Sequence, residues 1–115
     1  MSNLREKLSA VGVNWVEVME RFVDDEELYE SCLLAFMEDD SFSGLELSLL
    51  QKDYAAAFDY AHTLKSVAGN LGLSEFFKVI CTLVEALRNN RYEAIENHCT
   101  AVFAEKEKLL ALLSE

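Results

Sequence analysis

Apolar residues recur along the chain at spacings of three and four. Leu28, Cys32, Ala35, Phe36, Leu45 and Leu49 form one series, Phe76, Ile80, Leu83 and Leu87 a second, and Val102, Leu109, Leu112 and Leu113 a third. That is the period of a helix face, and no stretch alternates as a half-buried strand would. Side chains that can accept hydrogen bonds from free N–H groups mark helix starts at Ser2, Asn14, Asp25, Asp53 and Ser74. Gly72 marks a stop because it adopts a left-handed conformation at no steric cost, and Asn89-Asn90 serves in the same way. The predicted fold is all-α, a single domain over 1–115. Two short N-terminal helices, 3–10 and 15–23, precede an up-and-down four-helix bundle built from 26–50, 54–71, 75–88 and 92–113. Connections of a few residues make consecutive helices antiparallel. The run Glu38-Asp39-Asp40-Ser41 and Gly44 weaken the middle of 26–50, but no Pro forces a break, so one bent helix is predicted there.

Composition sharpens this picture. The 115 residues include no Pro and only 4 Gly, which favours long helices, and 51% are hydrophobic, too many for a disordered acidic chain. Ten basic residues face 21 acidic ones, a net charge of −11. Such a chain repels phosphate backbones and anionic lipid, which argues against nucleic-acid and membrane partners. No apolar run approaches the ~20 residues that span a bilayer, and the N-terminal segment has no signal-peptide core. A cytoplasmic, monomeric protein is expected, and the initial Met with a closed count of helices favours a free-standing chain over a domain cut from a larger protein. Cys32, Cys81 and Cys99 are odd in number and lack C-x-x-C spacing, so buried free thiols are expected.

The segment 54–71 carries the chemistry. On a wheel of about 100° per residue, Ala57, Tyr60, Ala61, Leu64, Val67, Ala68 and Leu71 share one core-facing arc. His62 lies about 160° from Leu64 on the same wheel, facing solvent. Lys65 at i+3, Ser66 at i+4 and Gly69 at i+7 give it a cation and a low helix surface, while Phe58 at i−4 puts an aromatic on its margin. A solvated surface histidine fits position alone. A phosphoryl-accepting imidazole fits the surroundings too, since it needs a charge receptor, clearance and an apolar docking edge.

The run from Ala61 to Gly72, AHTLKSVAGNLG, resembles the signature of the histidine-containing phosphotransfer (HPt) domain, A-H-x-L-K-G-x-x-x-x-x-G. Asp25, Glu27, Leu28, Tyr29 and Phe36 before it, and Leu83 to Arg88 after it, resemble that family in order and spacing. The resemblance implies a four-helix bundle acting as a phosphorelay intermediate. His62 would take a phosphoryl group from a receiver-domain phospho-aspartate or a histidine or hybrid kinase and pass it to a receiver-domain aspartate. Lys65 would steady its charge, and Phe58, Asp59, Ser66 and Gly69 would meet the response-regulator receiver domain. Imidazole is nucleophilic near neutral pH, and phosphoryl transfer is mostly positioning and charge stabilisation. The implied protein is therefore a carrier without autonomous catalysis or cofactor, the Mg2+ being the receiver's. Ser66 departs from the family's Gly, and Val84 stands where some members carry an amide.

Two other classes compete. A metal-binding bundle would use Asp59-x-x-His62, but the second such pair and the further carboxylates of a di-iron bundle are missing, so no metal is expected. A non-phosphorylated helical adaptor would dock a signalling partner on Phe58 and the acidic runs 24–27 and 38–40. His98 is expected to be structural. Gly-rich phosphate loops, catalytic triads and H-E-x-x-H are absent from the sequence.

Overall fold

The computed structural model describes residues 3–115, in which seven helices are found. They are α1 (Leu4–Ala10), α2 (Trp15–Arg21), α3 (Glu26–Met37), α4 (Asp40–Leu50), α5 (Tyr54–Leu71), α6 (Ser74–Arg88) and α7 (Ile95–Leu113). No strand occurs among the described residues.

Local chemistry sets most of the boundaries. Asn14, Asp25 and Asp53 each accept a hydrogen bond from the backbone N–H three residues on, the expected cap. Ser2 lies outside the described residues, and Asn3 caps α1 by accepting from the Glu6 N–H. Ser74 does not cap α6. It is the first helical residue and its hydroxyl donates to the Gly12 carbonyl, tying α6 to the N-terminal segment. Gly72 (φ 69°) and Asn90 (φ 55°) are the left-handed stops after α5 and α6. The last helix begins at Ile95 rather than at 92, because Tyr92 is drawn into a stack on Tyr54, 3.9 Å between ring centres.

The predicted helix 26–50 is two helices. Asp39 adopts extended backbone (φ −64°, ψ 132°) and its carboxylate accepts the Ser41 N–H at 2.7 Å, so an acid in the middle of the segment opens a new helix. A capping carboxylate satisfies N–H groups that a break exposes, which makes the break cheap without any Pro. Gly44 is not the weak point. It sits inside α4 where a Cβ would come 2.5 Å from the Tyr60 ring, so its bareness admits the neighbouring helix.

Tyr29 meets Leu71, and Gly44 meets Tyr60, so α3 and α4 run in the same sense along α5 and share the place of one bundle helix. Phe58 beside Arg88 and Gly69 beside Phe77 set α6 antiparallel to α5. α7 packs back on α6, and Phe103 reaches Phe42 of α4. The core holds Leu33, Phe36, Leu45, Leu64, Leu71, Phe76, Ile80, Leu83 and Val102, all buried. In α3 the buried stripe is Tyr29, Leu33, Phe36 and Met37, one step round from the expected one, and Leu28 is 49% exposed. Both stripes have helical spacing. The one carrying the larger side chains is inward, as the greater apolar area dictates. The Tyr29 hydroxyl donates to the Leu71 carbonyl at 2.6 Å, and its ring meets Trp15 and Phe22 edge-on. The three cysteines are free but half-buried rather than buried.

Candidate functional site

α5 separates its two faces by composition. Ala57, Ala61, Leu64, Ala68 and Leu71 are at most 1% exposed, and the small alanines let neighbouring helices approach. Tyr60 departs from the predicted core arc. It is 37% exposed, the hydroxyl-bearing end of its ring lying over Gly44 at the edge of the core. His62 and Asp59 are exposed on the opposite face, and Phe58 and Lys65 are half-buried.

The His62 ring lies over Phe58, with ring centres 5.8 Å apart and planes inclined by 26°. One turn further along α5, the Ser66 hydroxyl donates to the His62 carbonyl at 3.1 Å, which folds the hydroxymethyl group back along the helix. Thr63 does the same to the Asp59 carbonyl. Lys65 makes no ion pair among the described residues, which leaves its ammonium available to an anion on the neighbouring ring. Gly69 faces Phe77 of α6, whose Cε1 would lie 3.1 Å from an added Cβ. The Gly69 and Asn70 carbonyls, at the open end of α5, accept from the Arg21 guanidinium, a cation suited to a helix C-terminus.

Arg88 was missed in the sequence. Its guanidinium carbon lies 5.6 Å from the centre of the Phe58 ring, and it forms an ion pair with Glu85 one turn earlier on α6. The antiparallel register could have located it. Counting equal numbers of residues back and forward from Leu73 pairs Gly69 with Phe77, His62 with Val84 and Phe58 with Arg88. Val84 is fully buried and offers His62 no polar group. Beyond Phe58 a shallow groove continues between Tyr54, Asp59, Arg88, Asn90 and Tyr92, giving the site an aromatic flank.

Elsewhere the titratable groups are dispersed. His98 is half-buried in a groove with Cys81, Glu85 and Arg91. Burial, helped by nearby Glu46, pushes the Cys99 thiol up from its ordinary range. Among the described residues no three His, Cys, Asp or Glu side chains gather as a metal cage requires, and no helix is long and apolar enough to cross a membrane. Of the expected docking acids, Asp25 and Asp39 are engaged as helix caps.

Compared with known proteins, residues 27–115 match the family model of the Hpt domain, a span that opens in the first turn of α3 and takes in every helix after it. No curated protein and no solved structure matches the chain.

Proposed function

The chain belongs to the Hpt domain family, and from that premise we propose that it is a phosphorelay intermediate whose phosphoryl acceptor is His62. Hpt domains serve histidine phosphotransfer in phosphorelays, working with receiver domains and histidine kinases as carriers rather than catalysts of the usual kind. The observation that supports His62 is its exposure on the outward face of α5, one turn from Lys65, which makes no ion pair among the described residues. His98, the other histidine, is half-buried and has no lysine one turn away.

In this reading a receiver domain brings its phospho-aspartate to the α5 face. The lone pair of an imidazole nitrogen attacks phosphorus, the P–O bond to the aspartate breaks, the carboxylate leaves, and the other ring nitrogen gives up its proton to water. Reversal onto a second receiver passes the group on. Lys65 meets the charge on the phosphoryl oxygens, and the receiver's acidic cluster supplies the divalent cation, so this chain needs no cofactor. Phe58 and the neighbouring groove offer the receiver an apolar margin. Asp59, Ser66 and Gly69 border the approach, and the low profile of Ser66 suits a close docking. One copy of the chain suffices.

The test is label transfer from a phosphorylated receiver or an autophosphorylated kinase. One acid-labile, base-stable phosphoryl group on the wild type, absent from His62→Gln, is expected. Receivers that bind the chain without transferring label would favour the adaptor reading instead.

A further inference from the structure

α5 packs on α4 and α6, and α7 packs on α6, so α5 and α7 stand at opposite corners of the bundle. The edge between α4 and α7 therefore faces away from the His62 side, which Phe58 and Arg88 share with α6. The two helices of that edge are pinned where the Phe42 ring meets Phe103 and takes the Lys106 ammonium 4.5 Å from its centre, and they pack little on each other elsewhere. Beyond the pin they leave a groove of about 560 Å³. Its floor is apolar, with Leu49 from α4 and Ile95, Cys99 and Phe103 from α7. Tyr54, the first residue of α5, lines one end and is stacked on Tyr92. Leu50 stands on the margin, 78% exposed. An apolar floor with an open leucine beside it gains free energy when it is covered.

The rim decides what covers it. Glu46 on α4 and Glu96 and Glu107 on α7 bring exposed carboxylates to the groove, and none of the three forms an ion pair among the described residues. Lys52 is the one basic side chain on the lining. From Ile95 to Glu107 the α7 side runs about 18 Å at the helical rise of about 1.5 Å per residue. A helix of about three turns matches that length, with apolar residues at i, i+3 or i+4 and i+7 on the floor and Lys or Arg flanks against the rim. A second copy of this chain carries −11 and would set acids against acids.

We propose that the α4–α7 groove docks a basic amphipathic helix of a partner protein, on the side of the bundle away from His62. One partner then holds the chain while another meets the α5 face. This docking does not depend on His62 being a phosphoryl acceptor.

The experiment uses the whole chain and a synthetic helical peptide of about twelve residues, with leucines along one face and lysines elsewhere, bridged on its solvent side because free helices this short are marginal in water. Its binding is read by fluorescence anisotropy at low salt and its place by amide NMR shifts, with helicity of each variant checked by circular dichroism. The peptide should bind one to one and shift the amides of Leu49, Leu50, Cys99 and Phe103, leaving that of His62 unmoved. A scrambled peptide of the same composition, and one with Glu in place of Lys, should bind about tenfold more weakly or less well still. Leu50→Lys should weaken binding about tenfold. Val23→Lys, the same change of charge at a residue 84% exposed between α2 and α3, should bind as the wild type does. The double variant Glu46→Gln/Glu107→Gln should weaken binding about fivefold, and that gap should close as salt rises. No binding, equal binding of the scrambled peptide, a Leu50→Lys variant that binds like the wild type, or shifts confined to the α5 face would each overturn the proposal. A dimer in sedimentation equilibrium that Leu50→Lys dissociates would overturn it too, giving the groove to a second copy. Label transfer to His62 is read separately, so failure here leaves the phosphotransfer reading standing.

Discussion

Phe58 and His62 stack one turn apart on α5, 5.8 Å between ring centres, with the imidazole on the solvent side and the phenyl half-buried against the α6 end. The stack limits the directions the imidazole can face without burying it. Loss of the ring in Phe58→Ala should therefore leave His62 able to accept phosphoryl but slow its transfer severalfold, and the helical fold should survive because Phe58 lies at the rim of the core. Single-turnover transfer beside thermal melting separates the two effects.

Between the two histidines the expected division is absolute. His62→Gln should take no label, and His98→Gln should take label as the wild type does. Label retained by the His62 variant would refute the assignment.

Lys65 lies about 4.5 Å along the helix axis from His62, within reach of a flexible ammonium. Removing it in Lys65→Ala should slow transfer by about tenfold, on the order of 1 kcal/mol in the barrier, the loss of one charge contact made at the protein surface. A transfer rate equal to that of the wild type would remove Lys65 from the site.

Ser66 acts by its size. Ser66→Gly should transfer as fast or faster despite a helix-propensity cost of roughly 0.5 kcal/mol, while Ser66→Leu should block receiver binding with helicity unchanged. Binding measured by calorimetry against an unphosphorylated receiver decides it, and a Leu variant that still binds would move the docking face elsewhere.

Tyr29 gives a pH signature. Burial raises its hydroxyl far above the ordinary tyrosine range, with the Arg21 charge opposing in part. The folded state thus holds the phenol proton more tightly than the unfolded chain does. The stability this contributes is complete below the unfolded value of about 10 and declines as pH rises above it. Tyr29→Phe should cost about 1 kcal/mol at pH 7, from the lost bond to the Leu71 carbonyl, and should show a shallower decline above pH 10. Denaturant melts at pH 7 and above pH 10 give both numbers, and parallel declines would refute the coupling.

At the turn after α5, Gly72→Ala meets two penalties, a left-handed φ of 69° and a Cβ placed 2.6 Å from Val18 Cγ2. Together they should cost about 2 kcal/mol or more, a loss of several degrees or more in Tm. A variant as stable as the wild type would show that α2 can withdraw from the turn at little cost.

The sequence by itself determined the helical class, the caps at Asn14, Asp25 and Asp53, the stop at Gly72, and the two faces of α5. Each rests on local physics: a side-chain oxygen meets N–H groups three residues away, a bare Cα accepts positive φ, and a period of 3.6 places His62 opposite Leu64. The tertiary structure decided what depends on residues distant in the chain. The split at Asp39 turned on whether a mid-segment acid would be used as a cap, and the choice between the Leu28 and Tyr29 stripes turned on which face α5 and the N-terminal aromatics would cover. Tyr60 left the core because Gly44, 16 residues earlier, gave its ring a place at the edge. Arg88 joined the His62 face only through the antiparallel register of α5 and α6. Hydrophobic period says that a face is buried, but the side chain that meets it from the next helix follows from the packing register, which no local pattern encodes.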